Sequence, residues 1–279
     1  MHFRRLILPC FLLIFLSAHA AEVDTVSIYS NAMHKELKCV VIKPGKYNKK
    51  KAGYPVVYLL HGYGGWYSNW LIRVPQLKEY VDAYNLMIVC PDGGNSSWYF
   101  DSPVDSSMKY ETYVGKEVPG YIDAHYNTIK NRAGRAITGL SMGGHGALFI
   151  AFRHAEMFGA CGSMSGGFDL YASRNKYDII KRLGDTINYA HNWKRYSVTN
   201  EIENYPKDSL AITFDCGTGD PFYSSNHLLH EKMLQMKIPH EYTERPGKHE
   251  WTYWRNSIQY HLLFFRNYFE KIRTVQKIN

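Results

Sequence analysis

The sequence has no CxxC pair, no internal repeat and no low-complexity or Pro/Gly/Ser-rich stretch, and beyond its first twenty residues no apolar run approaches the ~20 residues a bilayer span needs. Without CxxC spacing, the sequence offers no zinc-ribbon or thioredoxin-like centre. Without repeats or a linker, one domain is expected rather than a solenoid or a tandem array. Without a second apolar segment, membrane residence is not expected. Runs of like charge are equally scarce. Lys49-Lys50-Lys51 precedes Gly53 and Pro55 in a turn-like setting, and the other basic residues are scattered, so no nucleic-acid surface is expected. The formal charge of +8 over 279 residues favours solubility and tolerance of anionic surfaces.

The N-terminus does carry a signal. Arg4 and Arg5 precede the apolar run Leu6 to Leu16, and Ser17-Ala18-His19-Ala20 supplies the small-residue pattern read by signal peptidases. Residues 1–20 are therefore expected to be a cleaved export signal, leaving residues 21–279 secreted or periplasmic, with no stable membrane insertion. Loss of Arg4 and Arg5 leaves 31 basic against 25 acidic residues, or +6. The remaining cysteines, Cys39, Cys90, Cys161 and Cys216, each fall in an apolar, strand-like run that predicts a buried thiol. Export leaves room for one disulfide without identifying its partners.

Short apolar runs alternate with longer helical patterns, which predicts an α/β fold with a mostly parallel sheet and helices on both faces. The expected strands are Thr25 to Ser30, Leu37 to Ile42, Val56 to Leu60, Met87 to Cys90, Ala136 to Gly139, Ala160 to Met164 and Ala211 to Cys216, with a further one at Pro239 to Thr243. Helices are expected over Leu71 to Tyr84, Tyr110 to Tyr126, Gly143 to Phe152, Ser224 to Met236 and Trp251 to Ile272. In the last, Trp254, Ile258, Leu262, Phe265 and Phe269 form one core-facing stripe. Sheets of this kind bind ligands beyond the carboxyl ends of their strands.

One strand end carries Gly139-Leu140-Ser141-Met142-Gly143, placed between the strand Arg135 to Thr138 and a helix. That is the strand-turn-helix setting in which a G-x-S-x-G serine becomes a nucleophile, its hydroxyl presented at a helix N-terminus. A serine needs a base, and His249 occupies a Pro/Gly loop, Arg245-Pro246-Gly247-Lys248-His249, just before the final helix. His227, His230 and His261 fall in helical patterns, and His240 is the nearest rival. Asp220 turns out of a strand in Gly217-Thr218-Gly219-Asp220-Pro221 and suits the acid, with Asp215 as second choice. The oxyanion donors would be Met142 N–H and, from the glycine loop His61-Gly62-Tyr63-Gly64-Gly65, Tyr63 N–H.

The motifs YLLHGYGG, IVCPDGG, AITGLSMGGHGAL, FDCGTGDPFY and GKHEWTYW, in this order, resemble the esterase family of α/β-hydrolases that includes esterase D (S-formylglutathione hydrolase), bacterial feruloyl and acetyl-xylan esterases, and the mycolyltransferases. The resemblance implies the same triad, Ser141, Asp220 and His249, and the same two oxyanion donors, with no metal or other cofactor. Exported members of this kind imply a small-molecule or polysaccharide ester as substrate, feruloyl or acetyl groups of plant cell-wall polysaccharides foremost. A glutathione thioester or short-chain acyl ester is the alternative, and a non-catalytic carbohydrate-binding relative is the reading from another class. Trp66, Trp70, Trp98, Tyr99 and Trp251 lie near the motif loops and would suit stacking on sugars or phenolics. The segment Phe168 to Tyr205 is long enough to cap the pocket. The sequence does not specify an oligomeric state.

Overall fold

The computed structural model describes residues 20–50, 52–206 and 210–278. Apart from Ala20, the expected export signal lies outside the described residues. Eight strands form one sheet among them: β1 (Glu22–Ser30), β2 (Lys35–Lys43), β3 (Val56–Leu60), β4 (Met87–Pro91), β5 (Arg135–Gly139), β6 (Ala160–Met164), β7 (Ala211–Gly217) and β8 (Glu241–Arg245). Their order across the sheet is β1-β2-β4-β3-β5-β6-β7-β8. The β1–β2 and β2–β4 pairs are antiparallel, and every other pair is parallel.

The central strands β3 and β4 read as unbroken apolar runs because both of their faces are covered. In β3, Val56, Tyr58 and Leu60 join one core, while Val57 and Leu59 join the other. The second core is closed by α1 (Asn69–Arg73), α2 (Leu77–Tyr84) and the long α10 (Trp251–Ile278), whose stripe Trp254, Ile258, Leu262, Phe265 and Phe269 is buried as its spacing predicts. The first core lies under α3 (Tyr110–Thr112), a π-helical turn (Tyr113–Glu117), α4 (Val118–His125), α5 (Met142–Arg153), the short helices α6 (Ile179–Leu183), α7 (Ala190–Tyr196) and α8 (Val198–Glu201), and α9 (Tyr223–Gln235). No helix among the described residues is long and apolar enough to cross a membrane. Cys39, Cys90, Cys161 and Cys216 are free and buried, and burial pushes each thiol's pKa up.

The single helix expected over Leu71 to Tyr84 is two. Pro75 excludes the preceding residue from helical geometry, and Val74 accordingly sits at φ −134°, ψ 69°, between α1 and α2. The helix expected over Tyr110 to Tyr126 is helical as far as His125, but it widens into the π-helical turn ahead of Pro119, which has no N–H to contribute.

Asp215 ties the sheet to α10. Its Oδ2 accepts from Arg245 Nη2 of β8 (2.8 Å), from the Ser257 hydroxyl and from His261 Nε2 (3.1 Å). His261 Nδ1 meets Thr138 Oγ1 of β5 at 3.0 Å. Burial alone would raise the Asp215 pKa; the His261 hydrogen bond and charge, the Arg245 charge and the Ser257 hydroxyl outweigh it and hold the carboxyl below its ordinary value. A depressed carboxylate stabilises the fold above its unfolded pKa of ~3.9, and that contribution is lost as pH falls through the lower folded value. Asp215→Asn should therefore destabilise by roughly 3 kcal/mol at neutral pH, lowering the melting temperature by about 10 °C. The gap from wild type should narrow as pH falls below about 4. Equal melting temperatures at pH ~7 would contradict this role.

Candidate active site

β5 ends in a turn that forces Ser141 into a conformation few residues adopt, φ 55° and ψ −118°, which costs about 1–3 kcal/mol. The turn closes because its glycines have no side chains. A Cβ on Gly143 would lie 2.5 Å from His61 O, and one on Gly139 would lie 2.6 Å from Gly143 O. The Ser141 N–H is held by Met164 O of β6 at 2.9 Å, and α5 starts at the next residue. Ser141 thus stands at the N-terminus of a twelve-residue helix.

Two more strand ends reach it. The loop after β7 buries Asp220, whose Oδ1 accepts from Phe222 N–H at 2.8 Å. The loop after β8 carries His249. Thr218 N–H to Arg245 O (2.9 Å) and Gly219 N–H to Gly247 O (2.9 Å) fasten these loops together. His249 Nδ1 lies 2.8 Å from Asp220 Oδ2, and His249 Nε2 lies 2.8 Å from Ser141 Oγ. An ionised Asp220 can only accept, so Nδ1 carries the proton and Nε2 is free to accept from the serine hydroxyl. Phe222 and Trp254 meet the imidazole edge-on, at 5.0 and 4.9 Å between centroids, and fix the ring plane. His240, the rival base, is occupied elsewhere: its Nε2 meets His230 Nδ1 at 2.8 Å and its ring stacks on Phe214. Asp215 belongs to the separate cluster under α10.

The glycine loop after β3 lies against Ser141, since a Cβ on Gly62 would come within 3.4 Å of the serine Cβ. Gly64 and Gly65 N–H groups bond Asn95 O and Gly62 O, whereas Tyr63 N–H has no partner among the described residues. Met142 N–H is in the first turn of α5, where donors have no intrahelical acceptor. Both expected oxyanion donors are thereby left open.

Ser141 and His249 line a cleft of about 270 Å³ with Tyr63, Trp66, Asn69, Arg73, Leu140, Tyr177, Trp251 and Trp254. Trp66 and Trp251 are where the aromatic rim was expected. Trp98 and Tyr99 are not: both are buried in the first core. Trp98 Nε1 instead donates to Tyr177 O (3.1 Å), and the Tyr99 hydroxyl to His61 O (3.0 Å), so they support the cleft from beneath. Trp70 is likewise buried and packs edge-on against Trp251. A larger cavity of about 460 Å³ between β7, β8 and α10 contains neither Ser141 nor His249.

Sequence patterns gave no role to three residues that shape this site. His61 is buried and accepts from Gly93 N–H at Nε2 (2.8 Å), so its Nδ1–H must donate to Gly62 O (2.8 Å). Burial lowers its pKa and keeps it neutral. It clamps the glycine loop to the loop after β4. His145, one turn past Ser141, is held neutral by burial, its pKa lowered to about 3, and donates from Nε2 to Tyr196 O at 2.9 Å. Tyr177 reaches the cleft from the Phe168–Tyr205 segment, its ring 5.5 Å from that of Tyr63, while the Tyr63 hydroxyl donates to Asp178 Oδ2 at 3.1 Å. The only hint of the first two is a histidine inside a glycine-rich strand-end motif.

A sequence profile of the family described as "Putative esterase" matches residues 30–265. The chain belongs to this esterase family. An esterase of Mycobacterium tuberculosis is 27% identical over 235 residues, spanning 75% of this chain and 51% of its own length, so the chain spans about half of that relative. The diacylglycerol acyltransferase/mycolyltransferase Ag85A of Mycobacterium gordonae is 25% identical over 273 residues, spanning 85% of this chain and 78% of its own. A solved structure titled ferulic acid esterase superposes with a TM-score of 0.77 at 29% identity, covering 90% of this chain and 100% of its own. The mixed, mostly parallel sheet of this esterase-family chain is the α/β-hydrolase fold.

Loss of the His61 clamp should act on the glycine loop and leave the serine in place. His61→Ala is expected to lower kcat on p-nitrophenyl acetate by about 100-fold, the scale of one oxyanion donor, while Ser141 still reacts with a fluorophosphonate. An unchanged kcat would remove His61 from this role.

Proposed function

We propose that this chain is an exported serine carboxylic ester hydrolase acting on feruloyl or acetyl esters of plant cell-wall polysaccharides, with residues 21–279 as one domain. The observation that carries the proposal is the continuous relay from Ser141 Oγ through His249 to Asp220, with 2.8 Å at each contact. Ser141 Oγ attacks the ester carbonyl as its proton passes to His249 Nε2, and Asp220 stabilises the imidazolium. The N–H groups of Tyr63 and Met142 receive the developing oxyanion. The alcohol leaves with the proton from His249, and a water molecule activated by the same imidazole then releases the acid and restores Ser141. Tyr63 and Met142 suit the donor role because their N–H groups have no competing acceptors among the described residues.

Support for the substrate class comes from the exposed ring of Trp66 and the half-buried ring of Trp251 at the cleft, which suit a sugar or an aryl acid, and from the likeness to the protein titled ferulic acid esterase. Residues 168–205, which bring Tyr177 to the cleft, act in this reading as a cap that selects the acyl group.

A fluorophosphonate should label Ser141 stoichiometrically, and Ser141→Ala should lose both labelling and turnover. His249→Ala should lower kcat by about 10⁴-fold or more, whereas His240→Ala should retain wild-type turnover. The reverse ranking of the two histidine variants would overturn the assignment of the base. Side-by-side assays on methyl ferulate, acetylated xylan and S-formylglutathione test the substrate class: fast cleavage of the thioester alone would contradict it.

A further inference from the structure

We infer that Arg73 makes this cleft selective for esters that carry a carboxylate near the scissile bond; the inference rests on the esterase reading and sharpens it. Among the described residues, none that lines the cleft is acidic. Arg73, by contrast, lines the cleft and is exposed. Arg135, Arg153, Arg182, Arg245 and Arg266 each lie against a carboxylate, but Arg73 has no ion-pair partner among the described residues.

Its position is built from both ends by α10. The Arg73 carbonyl accepts from Arg255 Nε at 2.8 Å, which fixes the last residue of α1. The guanidinium carbon lies 5.8 Å from the centroid of the Trp251 ring. A guanidinium over an aromatic face keeps its in-plane N–H fork free, and that fork matches a carboxylate in two parallel hydrogen bonds. Trp251 is two residues beyond His249, so the cation and the reacting histidine are presented by one short stretch of chain. The chain's net positive charge acts in the same sense at longer range, drawing an anionic polymer toward the cleft.

The carboxylate has two available sources, a uronic acid in the polysaccharide or the acyl group itself. Two matched pairs of esters separate them: acetylated xylo-oligosaccharides with and without a glucuronic acid branch, and p-nitrophenyl hemisuccinate against p-nitrophenyl butyrate. The wild-type protein should favour the anionic member of at least one pair by about tenfold in kcat/KM, the scale of one charge-assisted hydrogen bond. The preference should fall towards parity in R73Q, persist in part in R73K and weaken at high salt. Parity or a neutral preference in both pairs, with neutral esters turned over normally, would overturn the inference and leave the esterase reading intact. A preference that survives R73Q would also overturn it. Turnover of none of the four esters, nor of methyl ferulate, would overturn both.

Discussion

The site depends on two hydrogen bonds made by one imidazole. His249 meets Asp220 across 29 residues of chain and Ser141 across 108, each at 2.8 Å. Three loops from three parallel strands must therefore agree in position to within a fraction of an ångström. The parallel register from β5 through β6 and β7 to β8 supplies the coarse alignment, since it brings their carboxyl ends to one edge of the sheet. The fine alignment comes from backbone bonds between the Asp220 and His249 loops, and from the rings of Phe222 and Trp254 packed edge-on against the imidazole.

Beneath that edge, buried polar groups are arranged in separate clusters so that each part of the site is fixed independently. Asp215, Arg245, Ser257 and His261 anchor α10, and α10 in turn presents Trp251 and Trp254. His61 anchors the glycine loop, and His145 joins α5 to the 168–205 segment. Both histidines are buried and neutral, so they act through fixed hydrogen-bond geometry rather than charge. The strain at Ser141 is retained because β5, β6 and the glycine contacts around the turn leave the chain no alternative path.

The residues of the proposed triad were legible as a group because their constraints are local. Gly139 and Gly143 are glycines because a Cβ at either would lie within 2.6 Å of a backbone oxygen, and Asp220 and His249 occupy turn-forming loops with distinct composition. The aromatic residues were harder to place. Trp66 and Trp98 both follow glycine-rich strand-end motifs, yet one is exposed at the cleft and the other is buried under Tyr177. Which way such a ring points depends on what the 168–205 segment packs against it, and no spacing rule encodes that. The helix break at Pro75 was visible as a proline. The consequence, that α1 ends at Arg73 beside Trp251, required the position of α10.

The proposed chemistry places a covalent bond on Ser141, and that bond can be observed. Rapid-quench mass spectrometry of the protein mixed with p-nitrophenyl acetate measures it most directly. One acetyl group should appear on the peptide carrying Ser141 within the first turnover and disappear as substrate is exhausted. Product release with no acyl adduct on that peptide, or an adduct on another residue, would contradict the proposed nucleophile.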